Sequence, residues 1–270
     1  MKLAWHKVFF TKIILLSNAL GAVDFPPSSD PSALGLAIAF ETDRRNLGFA
    51  DTKSQMEMIL TNRNGDVSSR KLRMNTLENK NTKDGDWSLL VFDEPRDVKG
   101  TALLTYAHIL KPDDQWVFLP ALKRVKRISS VNKSGPFMGS EFAFEDFSSQ
   151  EVGKYSYRWL KDSECGERIC HIVERKPLYE HSGYTRMIAW TEMTDYQLVK
   201  VDFYDRKNEL LKTLTLTDYR LYLDKYWRAH DLYMVNQISN KTTRLKWTDF
   251  SFQTGQNEKD FSQNSLKRMR

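Results

Sequence analysis

A chain of 270 residues with 40% hydrophobic and 28% charged side chains can bury a core, which excludes an intrinsically disordered polypeptide. Its formal charge of +6 includes Lys2, Lys7 and Lys12, and it falls to +3 without that N-terminal segment. A balance so close to neutral gives no expectation of a nucleic-acid partner.

The first residues have the pattern of a secretory signal. Lys2, His6, Lys7 and Lys12 supply positive charge, residues 13–20 an apolar run, and Ala19, Gly21 and Ala22 small residues for cleavage. Lys12 keeps the apolar run well below the roughly 20 residues that span a membrane as a helix. No cysteine lies near the cleavage site, so no lipid anchor is expected. The expected organisation is a signal over residues 1–22, a linker over 23–31 containing Pro26, Pro27, Ser28 and Ser29, and a single domain over 32–270. Asp30 or Ser32 can cap a helix over residues 33–47, which Gly48 stops. Leu34, Ala37 and Ile38, with Phe40 or Glu41, form its apolar face.

From residue 53 the period changes to two. Met56, Met58 and Leu60 alternate with Gln55, Glu57 and Ile59 up to residues 62–66, where Asn64-Gly65 suits the positive φ angles of a primed hairpin turn. Strands are predicted over residues 67–78, 87–92, 101–110 and 115–119, with Asp84-Gly85 as a turn before the second of these. Pro120 stops the last one, and the basic run Lys123, Arg124, Lys126 and Arg127 follows. Residues 135–147 form the one long irregular stretch, broken by Gly and Ser yet carrying Phe137, Met138, Phe142, Phe144 and Phe147. Strands resume over 155–160, 168–176, 184–191, 197–204, 210–221, 227–238 and 242–252. The tail from residue 259 suits a short helix with Phe261 and Leu266 packed inward. About a dozen strands joined by short turns, with no alternation of strands and helices, predict a mainly β protein built on one antiparallel sheet. So long a meander must curl to protect its edges.

The only cysteines, Cys165 and Cys170, suit a disulfide across a hairpin in an oxidising compartment. Catalytic constellations are absent. There is no H-E-x-x-H, no G-x-S-x-G and no Gly-rich phosphate loop. His108 and His230 fall in strand patterns as packing residues, and the pairs Asp93-Glu94 and Asp113-Asp114 fall in loops. No enzyme, cofactor or metal is expected.

Binding is the better-supported reading. Met56/Met58/Leu60, Trp87/Leu89, Leu103 and Trp116/Phe118 line strand faces, and the opposite faces at Leu90/Phe92, Leu104/Tyr106 and Val117/Leu119 are apolar too. A sheet apolar on both faces needs cover on both, or a cavity on one. A curled sheet under one helix and the Phe-rich stretch would enclose an apolar pocket for a lipid or acyl chain. The alternative is that Phe137, Phe142, Phe144 and Phe147 fill that space. Lys123, Arg124, Lys126 and Arg127 could face anionic headgroups or a partner protein, or guard a solvated strand edge.

Three stretches carry a family resemblance: D-G-D-W-S-L-L-V-F (84–92), Q-W-V-F-L-P-A-L-K-R-V-K-R-I (115–128) and G-P-F-M-G-S-E-F-A-F-E-D-F (135–147). Together they resemble the secreted outer-membrane lipoprotein-sorting family, distant relatives of the LolA and LolB carriers. The resemblance implies a half-open antiparallel β-barrel covered by helices, with an apolar cavity for acyl chains and no chemistry. It implies a periplasmic location in a Gram-negative bacterium, and a large RND-type exporter as a partner, since members of this group often accompany one. It leaves a second reading, a periplasmic accessory subunit of such an exporter that carries nothing. LolA carriers hold the cavity closed with an arginine facing the lid, and Arg63 and Arg70 are the near candidates here.

Overall fold

The computed structural model describes residues 25–79 and 84–267, so the expected signal over residues 1–22 lies outside the described residues. Thirteen antiparallel strands form one sheet. They are β1 (Asp51–Thr61), β2 (Val67–Leu77), β3 (Asp84–Glu94), β4 (Ala102–His108), β5 (Asp114–Leu119), β6 (Arg124–Arg127), β7 (Tyr155–Cys165), β8 (Arg168–Pro177), β9 (Arg186–Glu192), β10 (Leu198–Tyr204), β11 (Leu210–Tyr222), β12 (Tyr226–Asn236) and β13 (Thr242–Phe252). Their order across the sheet is β6-β5-β4-β3-β2-β1-β13-β12-β11-β10-β9-β8-β7. The chain therefore starts at the centre and meanders outward to β6. It then crosses to the far edge and meanders back from β7 until β13 pairs with β1.

The sheet is not closed: among the described residues β6 and β7 each pair with one neighbour only. Residues 128–154 join these two edges as a strap laid over the concave face. Register shifts such as those at Gln55/Met56 in β1 and Trp159/Lys161 in β7 add the local twist that lets a sheet of this width curl.

The helix α1 (Pro31–Asn46) starts where its cap permits: the Ala33 backbone N–H donates to Asp30 Oδ1 at 3.0 Å, and Pro31 occupies the first turn, where no N–H is needed. Leu34, Ile38 and Glu41 are its buried residues, together with Gly35. Gly35 sits so close to the β7 backbone that a Cβ there would fall 2.6 Å from the Trp159 nitrogen, which makes the glycine a packing requirement. Phe40, a candidate for the packed face, is exposed. Its position is taken by Glu41, held between Arg44 and Arg45 at 2.7 Å from each.

Two turns differ from expectation. Of Asn64-Gly65 only Gly65 takes a left-handed φ (+88°), so the β1–β2 turn is not a primed one. Asn62 organises it instead, accepting from the N–H groups of Asn64 at 2.9 Å and Asp66 at 3.0 Å through its side-chain oxygen. Asp84 and Gly85 belong to β3, Asp84 opposite His108 across an irregularity in the β3–β4 pairing. Cys165 and Cys170 form a disulfide that closes the β7–β8 hairpin, with their Cα atoms 5.9 Å apart.

Both faces of the sheet are covered over β3 to β5. On the convex side a short C-terminal segment, including α2 (Gln263–Leu266), inserts Phe261 and Leu266 against Leu89, Val91, Ala102, Leu104 and Phe118. On the concave side the main core gathers Met56, Met58, Leu72, Leu90, Phe92 and Leu103 from one half of the sheet. The other half contributes Tyr184, Met187, Phe203, Leu214, Met234 and Leu245, and Phe137 and Phe142 of the strap lie between the halves. The double-sided apolar pattern of β3 to β5 is thus satisfied by two separate coverings.

Candidate functional site

The strap is a small hairpin folded into the concavity. Met138 and Gly139 turn it with left-handed φ of 49° and 77°, the Phe137 N–H donates to Phe142 O at 2.7 Å, and Pro136 bridges Ala143. Its four phenylalanines pack on one another, with Phe137 and Phe147 ring centres 4.6 Å apart and Phe137 and Phe144 edge-on at 5.3 Å. Phe137 is fully buried. These rings fill one end of the concavity.

Polar side chains fasten the strap to both halves of the sheet. Lys212 Nζ from β11 donates to Asp146 Oδ2 at 2.6 Å and to Glu141 O at 2.9 Å, in a pair whose side chains are 4% and 7% exposed. Tyr184 OH donates to Asp146 Oδ1 at 2.8 Å. Glu145 accepts from the Gly183 N–H at 2.8 Å, Ser182 Oγ at 2.9 Å and Tyr179 OH at 3.1 Å. Burial nevertheless pushes the Glu145 carboxyl up. From the other half, Gln115 Nε2 donates to Phe144 O at 2.9 Å. Arg70 Nη1 donates to Met138 O at 2.6 Å, with its guanidinium 5.8 Å above the Phe92 ring. Of the two arginines considered for facing the lid, Arg70 is the one that touches the strap; Arg63 sits in the exposed β1–β2 turn.

Beyond the phenylalanines the concavity is not filled. A cavity of about 480 Å³ lies between Phe142 and Phe147 of the strap, Leu216 and Tyr219 of β11, Leu232 of β12 and Leu245 and Trp247 of β13. A second cavity of about 290 Å³ lies beneath α1, between Ile38, Ala39 and Thr42 and the strand residues Tyr157, Val173, Arg175 and Ala189. The two adjoin, sharing Asn46, Phe49, Asp86 and Ser149 in their walls. Volumes of roughly 300–1,000 Å³ are those of small-molecule sites.

Polar side chains make up nearly half of these walls: Thr52, Ser54, Thr76, Asp86 and Ser88 line the larger cavity beside the apolar residues, and Thr42, Asp43, Asn46 and Thr191 the smaller one. Asp86 is pushed up to about 7, first by burial and then by the nearby carboxylates of Glu151, Glu78 and Asp43. The Asn79 N–H, donating to it at 3.1 Å, works the other way. Burial pushes Asp43 up as well. Arg228 is held down by burial; it donates to Asn46 Oδ1 at 2.9 Å and lies over the rings of Phe252 and Tyr226. Both ring nitrogens of His108 and His230 are engaged: His108 with Asp84 at 2.8 Å and Asp114 at 3.0 Å, His230 with Tyr222 OH and Trp247 O at 2.8 Å each.

The residues expected to touch a ligand divide between the two faces. Met56, Met58, Leu60, Leu103, Phe137, Met138, Phe142, Phe144 and Phe147 gather in the concave core, and of these Phe142 and Phe147 line the cavity itself. Trp87, Leu89, Trp116 and Phe118 do not join them. They lie on the convex face with Phe261 and Leu266, because their parity along β3 and β5 is opposite to that of Leu90, Phe92 and Val117. Lys123, Arg124, Lys126 and Arg127 are exposed on and beside the edge strand β6. Strand alternation sends Arg124 and Lys126 to one side and Arg127 to the other, so they flank the edge from both faces. Much of the cavity wall comes from β11 to β13 and from Phe49, with Thr52, Ser54, Met74, Thr76, Asp86 and Ser88 of β1 to β3 on the other side. Alternation in residues 210–221 and 242–252 marks these strands as half-buried but does not say what they face.

A family model described as "Uncharacterized protein" matches residues 84–268. A solved domain assigned as an outer membrane lipoprotein-sorting protein from Vibrio parahaemolyticus is 51% identical. The match covers 87% of this chain and 98% of that one, with a TM-score of 0.85. The chain belongs to the outer membrane lipoprotein-sorting family. A DUF1329 family protein from Desulfovibrio piger is 28% identical over 88% of this chain and 99% of its own, with a TM-score of 0.83. A LolA superfamily protein from Nitrosomonas europaea shares the fold at 17% identity, a TM-score of 0.70 and coverage of 86% and 98%. No curated protein matches the chain. The family's LolA-like architecture is thus that of this sheet, strap and helix.

Proposed function

We propose that the chain is a carrier for lipids or lipidated proteins, holding an acyl chain in the cleft between the strap, α1 and the concave sheet. The observation that carries this reading is the 480 Å³ cavity lined by Phe142, Phe147, Leu216, Leu232, Leu245 and Trp247 beneath a strap already anchored by buried polar bonds. Burial of each CH₂ would stabilise a complex by about 0.8 kcal/mol, so a chain only partly enclosed would still be held. Membership of a family whose crystallised relative is assigned to outer membrane lipoprotein sorting supports the same role. It also supports a periplasmic location, reached through cleavage of the signal over residues 1–22. No bond need be made or broken.

Native mass spectrometry of protein purified from periplasm tests this. A bound mass in the lipid range, removed by delipidation and restored by added phospholipid or lipoprotein, is the expected result. Protein that carries no lipid and whose melting is unmoved by either would overturn it.

One observation favours docking to a protein as well. The edge strand β6 is short, unpaired on its outer side and flanked by Lys123, Arg124, Lys126 and Arg127, a surface suited to an acidic partner such as an exposed loop of an RND-type exporter. Charge reversal at Arg124 and Lys126 should then abolish crosslinking to that partner while leaving lipid content unchanged.

A further inference from the structure

Arg175 stands out among the groups in the cleft. It lies on β8 opposite Tyr157 of β7 and Met187 of β9, and so points to the concave side, where it lines the cavity beneath α1. Its Nε and Nη2 atoms are buried and have no hydrogen-bond partner among the described residues. Its guanidinium lies 5.9 Å from the centre of the Tyr155 ring. The neighbouring residue Glu174, on the opposite face, pairs with Lys176 and Arg186 instead.

A guanidinium with two buried nitrogens left without acceptors is costly. Buried donors without acceptors lose their hydration without recompense, and a buried cation without a counter-charge loses more. In a folded chain such a group calls for a partner that arrives from outside. The planar fork of a guanidinium matches the two oxygens of a carboxylate or phosphate. Two carboxyl groups share the cavity, Asp43 and Asp86, and among the described residues neither accepts a hydrogen bond from Nε or Nη2 of Arg175. Both are biased by burial toward the neutral form, which lessens their repulsion of an anion.

We propose that Arg175 is the headgroup anchor of the cleft, and that the ligand class is a single-headed anionic amphiphile whose carboxylate or phosphate pairs with the Arg175 guanidinium while its tail runs between α1 and the strap. This rests on the carrier reading above and adds to it the charge and orientation of the cargo.

The test is titration of the purified, delipidated protein, followed by the fluorescence of Trp227 and Trp247 in the cavity wall. Four probes are used: myristate, monomyristoyl lysophosphatidic acid, neutral monomyristin and inorganic phosphate. The wild type should bind the two anionic amphiphiles at least about 10-fold more tightly than monomyristin, and inorganic phosphate weakly or not at all. Arg175→Met and Arg175→Gln should both lose that preference while binding monomyristin within about 3-fold of the wild type. Arg175→Met should also melt at the same or a higher temperature than the delipidated wild type, because it removes an unpaired buried charge. A folding role alone would instead lower the melting temperature of both variants and leave the preference intact. Equal binding of anionic and neutral amphiphiles by the wild type, or a preference that survives both substitutions, overturns the anchor and leaves the carrier reading standing. Tight binding of inorganic phosphate that competes with no amphiphile assigns the site to free anion and overturns it too. Failure to bind any of the three amphiphiles overturns both.

Discussion

Asp86 shows how the cleft tolerates polar groups at residue scale. Its carboxyl lines both cavities, and burial among other carboxylates raises it to about 7. In the unfolded chain an aspartate ionises near pH 4. Between about pH 4 and 7 the folded protein therefore binds the proton that the unfolded chain has released. Stability should fall as pH rises through that window, and above it the cost of burying the ionised form is fully present. Asp86→Asn keeps the shape and removes the titration. It should be more stable than the wild type at pH 8, by about 1–3 kcal/mol, and indistinguishable from it at pH 4, as read from urea midpoints at the two values. A difference that does not change with pH would show that Asp86 titrates normally.

At the scale of elements, the strap replaces the hydrogen bonds that would close a barrel. It joins the free edges β6 and β7 and is held by Lys212, Tyr184, Gln115 and Arg70 from both halves of the sheet. Lys212→Ala leaves Asp146 buried without its cation and should cost about 3–5 kcal/mol. Lys212→Met combined with Asp146→Asn should recover part of that loss, because no charge is left stranded. Phe137→Ala removes a fully buried ring and should cost about 3–5 kcal/mol. Denaturant unfolding of the three variants checks these values; a Lys212→Ala protein as stable as the wild type would mean that the strap is only loosely attached. The strap's importance was legible in the sequence, since it is the one long irregular segment and its phenylalanines have no other role. Its fastenings were not, because Lys212 and Tyr184 lie roughly 40–70 positions away and look like ordinary strand residues.

For the whole molecule, alternation was enough to place the strands and to see that β3 to β5 are apolar on both sides. It could not say which side is concave. That depends on β13 pairing with β1 about 190 residues earlier, which makes one face of every strand the inside. Alternation alone therefore lets Trp87, Leu89, Trp116 and Phe118 read as ligand contacts although they sit under the C-terminal segment, and it does not mark Leu216, Leu232 and Trp247, which line the cavity. Asp84-Gly85 carried a turn signal that sheet pairing overrode. The architecture that results has Phe261 and Leu266 packed on the convex side of β3 to β5, and an apolar core with an adjoining cleft on the concave side.

The central claim is that an acyl chain occupies the concave cleft, and photo-crosslinking tests it most directly. A fatty acid bearing a diazirine in its tail is bound, irradiated and mapped by peptide mass spectrometry. Labels should fall on Phe142, Phe147, Leu216, Leu232 or Trp247. Labelling of Trp87, Trp116 or the β6 edge instead, or no labelling above that of unfolded protein, would contradict the account.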